Sequence, residues 1–306
     1  MPSDSFIHSV AGATGGILAM TATYPLVFLS TRAANETKEN KSAYRAVADV
    51  LKREGFFGLY SGLNSSLLGI AITNGVYYYF YESSKGAIVR YRSGSKALST
   101  LESMLAGLIA GSATTVISNP VWVIQTAQTI RGMDAGSAEA VVPQPQKRLG
   151  VFETAARLLQ TGGPAVFFRG LGPALVLVAN PVLQYTVFEQ FKNALVRRRS
   201  KAGRVGALLT DWDFFMLGAI SKLIATGVTY PYIVVKSRLQ AGHAAAARYR
   251  SALHGLRTII AEEGVSGIYK GAGSKLLQSV LTAAILFASQ RRIYELTKLI
   301  VPVTVK

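Results

Sequence analysis

Three basic residues stand in otherwise apolar stretches: Lys222 in "LGAISKLIATG", Lys275 in "GAGSKLLQSV" and Arg291 in "SQRRIYEL". A cation among apolar neighbours is costly unless it meets water, a partner or an anion. A phosphate group is one such anion. Arginine holds it through a two-pronged fork and lysine as a point charge. Other readings stay open. Lys222 could snorkel or pair with a carboxylate, and Lys275, near a helix start, could meet lipid headgroups. Competing chemistries find little support. There are no cysteines, and the three histidines are isolated, so neither a disulfide nor a metal site is expected. No GxxxxGK[ST] loop or GxSxG elbow occurs, and the "GATGG" glycines (Gly12–Gly16) lie in an apolar run with no strand before them. Neither an enzyme nor a bound cofactor is expected.

The elements that must position these cations belong in a membrane. Half of the 306 residues are hydrophobic and only 16% are charged, a charge share too low for an ordinary soluble surface. Mean hydropathy is +0.29. The net charge of +17 on so apolar a chain suggests anionic headgroups or an anionic solute as its counterpart. A duplex nucleic acid fits less well, because the basic residues lie between apolar runs and not on one recognition helix. "MPSDSFIHSV" has neither a basic signal-peptide start nor an arginine-rich transit pattern, so membrane targeting is expected to be internal.

A repeat organises the apolar runs. Gly12 precedes Pro25 by 13 residues, and Gly107 precedes Pro120, and Gly218 precedes Pro231, by the same interval. The prolines close the dipeptides "YP", "NP" and "YP", and stand 95 and 111 residues apart. Each is followed by a short turn ending in aromatic-x-Gly: "EGFFGLYSG", "GGPAVFFRG" and "EGVSGIYKG". Three matching copies are a tandem-repeat signature. Each copy predicts a long helix kinked at its proline (Phe6–Arg32, Leu101–Gln128, Phe214–Gln240). A short amphipathic helix follows (Tyr44–Arg53, Leu149–Gln160, Ser251–Glu262), then a second long helix (Leu63–Lys85, Leu171–Lys192, Ala272–Leu296). The long helices are of the length that crosses about 30 Å of hydrocarbon. "GATGG" and "GLIAG" (Gly107–Gly111) are expected to let neighbouring helices approach closely. The predicted fold is an all-α membrane protein with six transmembrane helices in three tandem two-helix repeats, 1–95, 96–205 and 206–306. Pseudo-threefold symmetry follows from the repeats, and both termini are expected on one side.

These motifs resemble the mitochondrial carrier family of solute exchangers over nearly the whole chain. In that family the odd helices carry Pro-x-acidic-x-x-basic, whose ion pairs close the matrix side, and the even helices carry aromatic-acidic-x-x-basic for the cytosolic side. The resemblance implies one central substrate site with alternating access, a monomer as working unit, and membrane lipids around it. The first motif is largely lost here. Val27 and Ser30, Trp122 and Gln125, and Ile233 and Lys236 fill the acidic and basic slots, so only Lys236 keeps its charge. That closure is expected to rest on aromatic and polar packing. The second motif persists in "YESSK" (Glu82, Lys85) and "FEQFK" (Glu189, Lys192), whereas Arg291 takes the acidic slot of repeat 3. Gln125, Lys236, Glu82, Lys85, Glu189, Lys192 and Arg291 are thus the implied gate residues.

"YPLVFLSTR", "NPVWVIQT", "LVANPVLQYTVFE" and "SKLLQSVLTAAILF" resemble the peroxisomal branch of the family. That resemblance implies exchange of ATP against AMP or ADP across the peroxisomal membrane. CoA or NAD is the alternative cargo, and the mitochondrial inner membrane the alternative site. An import receptor for peroxisomal membrane proteins is a further implied partner. The basic loops (Arg197–Arg204, and Lys85 with Arg90, Arg92 and Lys96) suit lipid contact and orientation, or else targeting or anion attraction. Substrate contacts implied by the family's register are Gly69 and Ile70, Val176 or Leu177, and Gln278. Asn74, Asn180 and Gln184 could add polar contacts beside Lys222 and Lys275. Each of these could instead be helix-packing glue.

Overall fold

The computed structural model describes residues 4–35, 48, 50–52, 55–91, 98–130, 149–201, 209–241, 249, 251–282 and 285. The long helices of the first two and a half repeats are α1 (Asp4–Asn35), α2 (Leu63–Tyr91), α3 (Thr100–Ile130), α6 (Asn180–Lys201) and α7 (Asp211–Ala241). Shorter helices are α4 (Val151–Gly162), α5 (Leu171–Leu177) and α8 (Ala252–Gly267), and residues 272–282 are helical as well. Among the described residues five apolar stretches are long enough to span a membrane: Gly16–Asn35, Phe56–Tyr91, Thr100–Ile130, Pro164–Ser200 and Trp212–Ala241. The sixth expected span, Ala272–Leu296, lies mostly outside the described residues, as do Arg291 and most of Tyr44–Arg53. The architecture is the all-α membrane bundle that the repeats imply.

Local chemistry sets the boundaries. At the start of α3 the Ser99 backbone N–H donates to Glu102 Oε2 at 2.7 Å, and Glu102 N–H donates to Ser99 Oγ at 3.3 Å. Thr210 and Asp213 repeat this reciprocal cap at the start of α7, at 2.8 and 3.2 Å. Arg199 adds a two-pronged pair to Asp213, both contacts 2.7 Å, fastening the end of α6 to the start of α7. Pro25, Pro120 and Pro231 all lie inside continuous helices.

Between the two spans of each repeat run six residues bounded by left-handed glycines. Gly55 and Gly62, Gly163 and Gly170, and Gly264 and Gly271 have φ of 70 and 90°, 66 and 73°, and 71 and 80°. No other described residue has positive φ. Side chains with a Cβ avoid this conformation, so the repeat's glycines are fixed by backbone geometry. Gly264 accordingly breaks α8, and the amphipathic segment proper ends there.

One element departs from expectation. Leu171–Lys192 was expected as a single helix, but Val178 and Ala179 form a turn that separates α5 from α6. Their N–H groups bond back to Leu175 and Val176, three residues earlier. Pro181 supplies the reason, because it has no N–H for the Leu177 carbonyl.

The tightest packing gathers at the C-terminal halves of α1, α3 and α7. Tyr24, Phe28, Val123, Tyr230, Val234 and Val235 are all fully buried there. An ion triad braces the same end. Arg238 donates through Nε to the Ala34 carbonyl at 2.8 Å and through both terminal nitrogens to Glu263, which Lys270 also meets at 2.7 Å. Three elements, α1, α7 and α8, are joined through that one arginine. Burial works against ionisation of Glu263, yet its two cationic partners outweigh that and hold its carboxyl below the ordinary glutamate value of 4.5.

Candidate functional site

The residue before each proline explains the recurring "YP", "NP" and "YP". Tyr24 donates its hydroxyl to the Ser61 carbonyl and Tyr230 to the Lys270 carbonyl, each at 2.9 Å. Asn119 donates its side-chain amide to the Phe167 and Arg169 carbonyls at 2.7 and 3.2 Å. Ser61, Arg169 and Lys270 each directly precede a left-handed glycine. Every proline-bearing helix is thus fastened to the turn of its own repeat.

The same glycines carry the contact to the next repeat. A Cβ on Gly62 would stand 3.1 Å from the Gln125 carbonyl, and one on Gly170 would stand 3.0 Å from that of Lys236. On Gly271 it would stand 2.6 Å from the Ser30 carbonyl. Repeat 1 therefore packs on repeat 2, repeat 2 on repeat 3, and repeat 3 on repeat 1. The three helix positions touched, Ser30, Gln125 and Lys236, are the basic slots of the degenerate motif.

Side-chain hydrogen bonds close this ring. Between repeats 1 and 2, Gln125 reaches the Tyr24 hydroxyl at 3.4 Å, Arg32 Nε reaches the Thr129 carbonyl at 2.8 Å, and Ser65 donates to Gln128 at 2.6 Å. Between repeats 2 and 3, Thr126 donates to Gln240 at 3.3 Å and Gln240 to Asn119 at 3.2 Å. Between repeats 3 and 1, Asn35 donates to Ser237 at 2.8 Å. The stretches from each proline to its helix end contain no carboxylate. These contacts are polar, in keeping with the packing expected at this end from the missing acids.

The opposite end differs. Lys85 lies 3.4 Å from Glu82 and Lys192 lies 2.7 Å from Glu189, each pair three residues apart on one helix. The acidic and basic side chains of α2 are 63% and 42% exposed, so this pairing bridges no two helices here.

Between the two ends lies a cavity of 660 Å³. Thr73 and Tyr77 of α2, Gly107 and Thr114 of α3, and Leu177 and Tyr185 of the α5–α6 segment line it together with Lys236 of α7. Lys275 lies within electrostatic range of both Lys236 and Lys222. None of these three lysines has an ion pair to a carboxylate among the described residues. An anion entering the cavity would supply the missing counter-charge.

The expected contact residues do not all gather there. Leu177 lines the cavity, beside Lys236, which was expected as a gate residue. Gly69 is buried against Trp122, Ile70 and Gln184 are half-buried, and Asn74 and Val176 are exposed. Asn180 is helix glue: its amide bonds the Ala225 carbonyl at 3.2 Å and Thr229 Oγ1 at 2.7 Å on α7. Lys222 is exposed and Lys275 half-buried. Gln278 is buried, donates to Thr282 at 2.9 Å, and leaves Oε1 without a partner among the described residues. The close approach expected at the glycine pairs holds at Gly111, where a Cβ would lie 2.6 Å from Val178, but Gly16 has open space. Sequence reading missed Tyr77 and Tyr185. Each stands eight residues beyond an implied contact, Gly69 and Leu177, so the repeat register was the signal available.

Comparison with known proteins is consistent over the whole chain. The family model "Mitochondrial carrier protein" matches residues 2–92, 96–199 and 209–301. The peroxisomal nicotinamide adenine dinucleotide carrier of Arabidopsis thaliana is 35% identical, over 97% of this chain and 98% of the relative. Peroxisomal membrane protein PMP34 of Mus musculus is 31% identical, over 93% of this chain and 91% of its own. Peroxisomal adenine nucleotide carrier 1 of Arabidopsis thaliana is 29% identical, over 97% and 92%.

Proposed function

Because this chain belongs to the mitochondrial carrier family, and the three relatives named above are peroxisomal proteins, we propose that it carries nucleotides across the peroxisomal membrane. It is a transporter and not an enzyme. One observation supports the cargo class above the others. A cavity with two tyrosines and several hydroxyls on its wall ends at Lys236, and Lys275 extends the positive charge to Lys222. Planar bases suit the first part and phosphates the second.

The finer reading is exchange of ATP against AMP or ADP by alternating access. In that cycle Glu82, Lys85, Glu189 and Lys192 close their end while the polar ring opens. A second reading has its own support: the relative named as a nicotinamide adenine dinucleotide carrier matches at 35% identity, against 29% for the adenine nucleotide carrier. A dinucleotide or CoA presents the same adenosine-phosphate end to the lysines. Thermal unfolding of the purified protein with added compounds tests the shared chemistry. ATP, AMP, NAD or CoA should raise the midpoint and adenosine should not, and Lys236→Gln with Lys275→Gln should abolish the rise. An equal rise with adenosine would remove the phosphate from the account.

A further inference from the structure

At the second residue past each proline, repeats 1 and 3 have the aliphatic Val27 and Ile233, while repeat 2 has Trp122. Its indole does not sit idle against lipid. Cζ2, Cε2 and Cη2 stand 3.3, 3.4 and 3.4 Å from where a Cβ on Gly69 would be. Its Nε1–H donates to Thr73 Oγ1 at 3.3 Å. Gly69 and Thr73 lie one helical turn apart on α2. A single side chain of repeat 2 therefore grips a turn of repeat 1 twice, through packing that leaves little room for a methyl group and through a hydrogen bond. Neither contact is ionic. Trp122 is three residues from Gln125 in the closed ring, and Thr73 lines the cavity, so the grip lies between closure and cargo site.

We propose that Trp122 is a neutral latch between repeats 1 and 2. It holds the ring end shut by clasping Gly69 and Thr73, and it must release them for that end to open. An uncharged latch keeps its hold when salt is raised, unlike an exposed ion pair. It also makes the three-repeat ring unequal, with the strongest local closure at one of its three seams. The inference rests on the helix contacts and on the carrier cycle, and is independent of which nucleotide is carried.

The sequence has no cysteine and only two tryptophans, Trp122 and Trp212, which makes the test clean. Ser30→Cys places a single thiol at a ring position that is 5% exposed, with a substitution of similar size. Its reaction with a water-soluble maleimide in detergent then reports opening of the ring end. Trp122→Val should speed labelling several-fold, Thr73→Val less so, and both increments should be the same at low and high salt. Labelling at the parent rate in both variants, or increments that vanish at high salt, would overturn the latch. If Trp122→Val does not fold, Thr73→Val, which removes only the hydrogen bond, carries the comparison. A second readout needs no change at the latch: with Trp212→Phe, emission comes from Trp122 alone. Warming that raises labelling at position 30 should raise quenching of that emission by acrylamide in step. Faster labelling with unchanged quenching would show that the ring opens without moving the indole.

Discussion

Gly271 carries the most demanding backbone position of the repeat. Its φ of 80° disfavours any Cβ, and a Cβ there would press to 2.6 Å on the Ser30 carbonyl. Backbone cannot rotate away as a side chain can. Gly271→Ala should cost about 2–4 kcal/mol, combining left-handed strain with overpacking, read as a lower thermal midpoint of the purified protein. Gly75→Ala is the control: that glycine is helical and has open space around it, so a change within about 1 kcal/mol in the stabilising direction is expected. Tyr230→Phe makes a milder test of the same turn. It leaves the Lys270 carbonyl without its donor and should cost about 1–3 kcal/mol.

At the scale of elements, the joint between α1, α7 and α8 depends on Glu263 being ionised. Its folded carboxyl titrates below the ordinary 4.5, so it binds protons less readily than in the unfolded chain. The stability it contributes is present in full above about pH 5 and is lost as pH falls through the folded value. Thermal midpoints taken from pH 7 down to 3 should therefore fall on the acid limb. Glu263→Gln should lower the neutral midpoint and flatten that limb. Arg238, 2% exposed at its side chain, is then left without its carboxylate, a loss of about 3–5 kcal/mol. An unaltered acid limb in Glu263→Gln would assign the joint to packing instead.

Much of this element scale was legible beforehand. Glycine-to-proline spacing and the aromatic-x-Gly turns placed the starts of α1, α2, α3 and α7 within three residues, since both depend on local backbone geometry. The break before Pro181 was missed because six apolar neighbours in "LGPALVLVANP" read as one span, although the proline itself was visible. The ring was only half legible. Missing acids at Val27, Trp122 and Ile233 announced a closure without ion pairs, but no periodicity tells that Gln125 meets Tyr24 or that Trp122 meets Gly69. Asn180 shows the same limit in reverse: a polar residue at a plausible contact position turned out to join two helices.

At the scale of the molecule, the repeats meet at one end in a ring of hydrogen bonds, and Lys236 lines the cavity. The other end keeps its charged motif in reserve, with Glu82 and Lys85 paired along α2 and largely exposed. Such a pair contributes only about 0–1 kcal/mol to folding. Its value in the proposed cycle comes when that end closes and the same charges meet across helices. Glu82→Lys should then leave the thermal midpoint nearly unchanged while cutting transport, and adding Lys85→Glu should restore part of the rate. Equal loss in the single and double variants would argue against pairing across that gate.

Exchange itself tests the central claim most directly. Purified protein is reconstituted into liposomes loaded separately with ATP, AMP, ADP, NAD, CoA or phosphate, and uptake of labelled ATP is followed from outside. The account predicts rapid uptake only into vesicles holding a nucleotide, fastest against AMP or ADP, and a marked loss with Lys236→Gln. Uptake of labelled NAD or CoA in place of ATP would move the cargo to the second reading. Absence of exchange for every nucleotide, by protein whose thermal midpoint shows it folded, would contradict nucleotide carriage altogether.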